Sequence, residues 1–213
     1  MRRAHHAAGF TVAGFTMIEM MVTILIFSIL VTLGVPTFRT WISNVKVRSV
    51  ADALQNGVRV AQTESLRRSR QMVFSLTNNT PMQSGAYTPI TATANGSYWS
   101  VNIIPAMTDG TDAAANSALG YVQGGVLGAV TSSVAVTGPA EICFNSAGRL
   151  VANATTGIPP GNCTLPVNNP PMWTYNVSVA GADHPLQVQV TLGGKVRLCD
   201  PSQTLSSTNT YGC

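Results

Sequence analysis

Gly14-Phe15-Thr16-Met17-Ile18-Glu19 opens an apolar run that ends at Pro36, and the reading of this stretch decides the architecture. From Phe15 to Val35 there are twenty-one residues and a single charge, Glu19. At about 1.5 Å of rise per residue, a helix over the run reaches roughly 30 Å, the hydrocarbon thickness of a bilayer. β-Branched residues such as Ile24, Ile26 and Val31 do not prevent helix there, because an open strand in lipid leaves backbone groups unpaired. The stretch therefore predicts a membrane-inserted helix. Its odd member is Glu19, an acid where ionised groups are costly and usually have a partner. Gly34 and Pro36 predict a loosened or kinked helix where the run ends, since proline removes one backbone hydrogen bond.

The residues ahead of the run are basic, with Arg2 and Arg3 followed by His5 and His6, as expected for a segment held on the cytoplasmic side. An ordinary secretory signal places a small-residue cleavage site after its apolar run. Here a Gly-Phe junction stands in front of it instead. This arrangement resembles the class III leader of type IV pilins and type II secretion pseudopilins, which prepilin peptidase cuts after the glycine. Gly14 matches the cut, Phe15 the new N-terminus, Glu19 its fifth residue and Pro36 its twenty-second. The earlier junction, Gly9-Phe10, fails the comparison because Gly14 stands where the acid is required. The resemblance implies cleavage between Gly14 and Phe15 and N-methylation of Phe15. On physical grounds the freed amine of Phe15 on a neighbouring subunit is the obvious partner for Glu19, and such a pair would set axial register during assembly.

Removing fourteen residues from 213 leaves 199, enough for one long helix and one globular head with a core. The pI near 9.1 invites a nucleic-acid reading. Its source argues otherwise: residues 1–14 carry +2, residues 15–70 carry +4 and residues 71–213 carry −2. The head is mildly acidic, so net charge gives no support for DNA binding by it. Four cysteines, Cys143, Cys163, Cys199 and Cys213, all lie beyond the apolar run, and an even count in an exported head favours disulfides. Of the three possible connectivities, the sequential pairing Cys143–Cys163 and Cys199–Cys213 is the expected one. A zinc site is disfavoured by the lack of C-x-x-C spacing, with His184 the one histidine beyond the leader.

Residues 37–70 continue the helix, with Val47, Val50, Leu54, Val58 and Ala61 at steps of three and four forming one apolar face. Gly57 is expected to be a second soft point. After Arg70 short apolar stretches alternate with Gly, Pro, Asn and Ser, a β-rich texture. Strands are predicted at Gln71–Leu76, Tyr98–Ile104, Tyr121–Leu127, Val134–Val136, Glu141–Phe144, Thr174–Val179, Leu186–Leu192 and Lys195–Cys199. Gly193-Gly194 reads as a two-residue hairpin turn. The stretches "RVAQTESLRRSRQMVFSL", "YWSVNI", "ICFNSAGRL" and "GGKVRLC" resemble, in that order, the GspH/FimT family of pseudopilins and minor pilins. The resemblance implies an α+β, pilin-like fold, with a long N-terminal membrane helix packed on a β-rich head. It divides the chain into a leader (1–14), a transmembrane or filament-core helix (15–36), an amphipathic spine (37–70) and the head (71–213). It also implies prepilin peptidase, other pilins or pseudopilins, an inner-membrane assembly platform and an assembly ATPase as partners.

Chemistry for an enzyme is sparse, and no cofactor or metal is expected. His184 precedes a proline and has no nucleophile motif beside it; Asp109 and Asp112 lack the ligand count of a calcium loop. In DNA-uptake minor pilins of the family a Gly-Arg-x-Arg motif is associated with DNA. Gly194 and Arg197 match it, while Lys195 replaces the first arginine and loses its bidentate fork. Lys195 and Arg197 fall on one face of a strand, and Gly148-Arg149 is a shorter feature of the same kind, so DNA contact is expected to be weak and salt-sensitive. The reading is a minor pilin of a type IV pilus, stored in the inner membrane as a single-pass protein with a periplasmic head and then polymerised. The alternatives are type II secretion pseudopilin H and, more weakly, a DNA-binding module for transformation.

Overall fold

The computed structural model describes residues 14–81, 90–105, 120–127, 134–153 and 161–213. Among the described residues one helix, α1 (Met17–Arg68), precedes nine strands. Thr16 starts it: its Oγ1 accepts the Glu19 N–H at 3.3 Å, the N-cap bond of a Thr-x-x-Glu sequence. Arg67 and Arg68 occupy the last turn, where cations complement the exposed carbonyl ends. The helix continues without interruption through Gly34 and Pro36, so the expected loosening does not break the element.

The chain forms two compact units, Met1–Arg39 and Thr40–Cys213. In the first unit the large apolar side chains from Phe15 to Val35 are between 41% and 84% exposed. Its most apolar window has a mean hydropathy of 2.4, and none of that window is buried.

The second unit carries the core. Val47, Val50, Leu54, Val58 and Ala61 are all buried, the face that their spacing predicts. Gly57 corrects an expectation. A Cβ there would stand 2.8 Å from the Trp99 ring and 2.9 Å from the Phe74 ring, so this glycine is a point of close packing rather than a soft point. The helix packs with two antiparallel sheets. One has the order β3-β2-β1-β5-β6, with β3 (Tyr121–Val126), β2 (Tyr98–Ile103), β1 (Met72–Thr77), β5 (Glu141–Phe144) and β6 (Leu150–Val151). The other has the order β4-β7-β8-β9, with β4 (Val134–Thr137), β7 (Met172–Val179), β8 (Leu186–Thr191) and β9 (Val196–Cys199).

β1 is the centre of the first sheet and is buried along its whole length. Alternate side chains explain this. Met72, Phe74 and Leu76 join the helix and both sheets in the main core, while Val73 faces a second cluster with Ile104, Cys143 and Cys163. Phe74 meets Tyr175 of β7 edge-on at 6.2 Å, which ties one sheet to the other. Burial of side chains this size contributes about 1.5–3 kcal/mol each. In β3, Gly125 pairs with Trp99, and a Cβ there would fall 2.9 Å from the indole Nε1. Gly125 therefore makes room for the tryptophan ring, and Gly124 for Pro81. The two-residue strand β6 had no sequence signal of its own, since it forms only by pairing with β5 through Cys143↔Val151 and Phe144↔Leu150.

Candidate functional site

At the N-terminus of the described chain, Gly14 and Phe15 precede the helix and are exposed, with Phe15 at 78%. An exposed, non-helical junction is what a peptidase needs to seat extended backbone. Glu19 is exposed in the first turn, where a negative charge also complements the helix N-terminus. Its backbone N–H donates to Thr16, so the residue also takes part in the cap of the helix, while its carboxylate is left for a partner outside the turn. Arg2, Arg3, His5 and His6 lie outside the described residues.

In the head, the expected two-residue turn at Gly193-Gly194 is a three-residue connection. Thr191 N–H donates to Lys195 C=O at 3.1 Å, Gly194 N–H donates to Thr191 C=O at 2.8 Å, and only Gly194 of the pair has positive φ, at 88°. That is a three-residue hairpin loop closed by a left-handed glycine. The same construction recurs at Asn145–Arg149, with Asn145 N–H to Arg149 C=O at 2.9 Å, Gly148 N–H to Asn145 C=O at 2.9 Å, and Gly148 at φ 70°. The two turns meet: a Cβ on Gly194 would collide with the Gly148 carbonyl, which accepts from Gln62 Nε2 of α1 at 3.0 Å. Arg149 and Lys195, each following its glycine, are thus brought onto neighbouring turns, and both are exposed.

Arg197 is differently placed. Its Nη2 donates to the carbonyls of Thr210, at 3.2 Å, and Gly212. It therefore holds the C-terminal loop that Cys199–Cys213 closes, and is not a free cation beside Lys195 as the motif comparison implied. The structure joins Cys143 to Cys163, with Cα atoms 5.8 Å apart, and Cys199 to Cys213, at 5.2 Å. Glu141, on the strand that carries Cys143, accepts the Gly161 N–H at 3.0 Å, and its burial raises the carboxyl above the usual carboxylate range. Tyr175 is wholly buried, and burial together with the charge of Glu141 pushes its hydroxyl up.

His184 sits in a loop fastened to α1. Asn44 Oδ1 accepts the backbone N–H groups of Asp183 and His184, at 3.2 and 3.3 Å, and its Nδ2 donates to Asp183 Oδ1 at 2.5 Å. The bond from Asn44 holds the Asp183 carboxyl below its usual range. The His184 ring lies 3.8 Å from carboxylates of both Asp183 and Asp200, with no nucleophile in the arrangement. Asp109 and Asp112 lie outside the described residues. Among the described residues no cluster of His, Cys, Asp and Glu is arranged to hold a metal.

Residues 10–35 match the family model of the prokaryotic N-terminal methylation motif. Two solved structures are similar to the chain, both of the type IV minor pilin FimU of Pseudomonas aeruginosa. One aligns with a TM-score of 0.45 at 13% identity, over 76% of this chain and 95% of that one. The other, from a second crystal form, gives 0.43 at 11% identity, over 76% and 99%. No curated protein matches the chain.

Proposed function

We propose that the protein is a minor pilin of a type IV pilus, of the GspH/FimT kind. In this reading it is held in the inner membrane by residues 15–36 with its head in the periplasm, and is then assembled with other pilins by an inner-membrane platform. The observation that carries the reading is the methylation motif over residues 10–35, on a helix whose large apolar side chains from Phe15 to Val35 stay exposed among the described residues. A segment of this kind is stable in lipid or among copies of similar helices, and a filament core offers the second once the first is left. Glu19 pairs in the filament with the methylated amine of Phe15 on a neighbouring subunit. The protein is a structural subunit and not an enzyme.

The cap formed by Thr16 makes Glu19→Gln the informative variant, because it keeps a side chain able to serve the first turn while removing the charge. With processing intact, Glu19→Gln should remain in the membrane yet fall at least tenfold in sheared pili, measured by immunoblot against a membrane-fraction control. Normal amounts in sheared pili would remove the charge from the mechanism. Loss of exoprotein secretion with unchanged pili in a deletion strain would move the protein to the type II secretion pseudopilus.

A further inference from the structure

A cavity of about 800 Å³ in the head is a groove between α1 and the edge strand β9. Trp41, Val45, Arg48, Asp52, Gln55 and Arg59 line its helical wall, spaced three and four apart on a face distinct from the buried one. Among the described strands β9 is the last of its sheet and pairs with β8, through Gln187↔Cys199, Val188↔Leu198, Gln189↔Arg197 and Val190↔Val196, while Asp200 just beyond it bridges Gly212. The hairpin bond between Thr191 and Lys195 sets the phase of this ladder. Residues 195, 197 and 199 turn their backbone groups to β8, so those of Val196 and Leu198 turn toward the groove. Gln55 already reads one of them. With its amide oriented so that both ends are satisfied, its oxygen accepts Leu198 N–H at 3.3 Å and Arg59 Nη2 at 3.2 Å.

The charges of the groove are unbalanced. Its two acids are engaged within the head: Asp52 with Arg48 at 3.1 Å, and Asp200 with the Ser202 N–H at 2.8 Å and hydroxyl at 2.6 Å. Among the described residues, Arg59, Lys195 and Arg197 line the groove with no carboxylate paired to them, although Arg197 Nη2 is already held by the Thr210 and Gly212 carbonyls and Lys195 is the more accessible charge. Lys195 and Arg197 share one face of the strand, so a strand laid beside β9 would set its alternate residues about 5 Å from them. Trp41 and Tyr211, 59% and 73% exposed, give the rim an apolar lip.

We propose that the groove receives an extended acidic segment of a partner protein, which adds to β9 as a further strand and places alternating carboxylates opposite Lys195 and Arg197. Main-chain bonds to Val196 and to the Leu198 carbonyl supply the affinity, with Gln55 giving up the Leu198 N–H as the strand enters, and the acid–apolar alternation supplies the selectivity. The site is distinct from the N-terminal assembly segment and does not rest on the filament reading.

The test uses the full chain in detergent and a fluorescent seven-residue peptide, blocked at both ends, that alternates Glu and Val. Saturable binding by anisotropy is expected, with a dissociation constant of about 100 μM or tighter. The peptide with Gln for every Glu, and the peptide N-methylated on the amides that face β9, should each bind at least tenfold more weakly. Val196→Pro removes a groove-facing N–H without touching the β8 ladder and should weaken binding to a similar degree. Arg59→Glu with Lys195→Glu should reverse the preference toward a Lys–Val peptide. The proposal is overturned if the parent peptide does not saturate. It is also overturned if the N-methylated peptide binds as well as the parent, or if duplex DNA binds more tightly and displaces the peptide, which would make the groove a nucleic-acid surface.

Discussion

The two compact units of this chain use apolar residues in opposite ways. Between Phe15 and Val35 the large apolar side chains are spread around the helix and stay exposed, whereas Val47, Val50, Leu54 and Val58 fall into a stripe and are buried. The helix is continuous across both units, so secondary structure does not distinguish them. What distinguishes them is who supplies the cover: the head covers its own stripe with two sheets, and the first segment needs lipid or other chains. Substitutions in the head should therefore be read out in its thermal unfolding, and substitutions in the segment in localisation and assembly.

The largest expected effect on the head comes from its buried disulfide. Cys143 and Cys163 are 1% and 2% exposed and sit with Val73 and Ile104 behind the central strand. Replacing both by serine should cost about 3 kcal/mol, or roughly 10 °C in Tm. Differential scanning calorimetry checks the figure, and non-reducing peptide mapping of the parent checks the pairing. Free thiols, or a Cys143–Cys199 peptide, would break the picture of a head braced in sequence.

A glycine-to-alanine pair sharpens the comparison. At Gly34 a Cβ meets nothing within 4 Å, so Gly34→Ala should leave head unfolding unchanged. At Gly57 the gain of about 1 kcal/mol in helix propensity competes with ring carbons of Trp99 and Phe74 inside 3.0 Å. Rings packed in a core yield poorly, so Gly57→Ala should be net destabilising by about 1–3 kcal/mol in chemical denaturation. Stabilisation instead would mean that the rings move aside easily.

The smallest effect concerns Glu141. Burial raises its folded pKa above the unfolded value, so its ionised form is disfavoured by folding. Stability tied to this group is fully present below about pH 4, the unfolded range, and is lost as pH rises through the raised folded value. Glu141→Gln keeps an acceptor for the Gly161 N–H and should stabilise the head by under about 1 kcal/mol at pH 7. The advantage should vanish below about pH 4 in parallel thermal melts. A constant difference across that range would contradict the assignment.

Much of this was legible in the sequence because the signals are local. The apolar run, the stripe from Val47 to Ala61 and the alternation of Leu186, Val188, Val190 and Leu192 each report on their own element. The remainder depends on contacts between distant residues. Gly57 looks like a helix weakness until Trp99 and Phe74 are placed against it. Arg197 looks like a free cation until Thr210 and Gly212, beyond the Cys199 end of the strand, fold back over it. The hairpin at Leu192–Gly194 shows a subtler failure, since Gly-Gly is compatible with two loop lengths and only the ladder phase selects one.

The central claim is that the apolar segment is an assembly helix exposed by cleavage, and intact mass tests it most directly. Membrane protein from peptidase-positive cells should have lost residues 1–14 and gained one methyl group on Phe15, while peptidase-null cells retain the full chain. A Gly14 variant such as Gly14→Val should remain uncleaved even with the peptidase present. Equal, unprocessed mass in both strains, or cleavage beyond Pro36, would contradict the account.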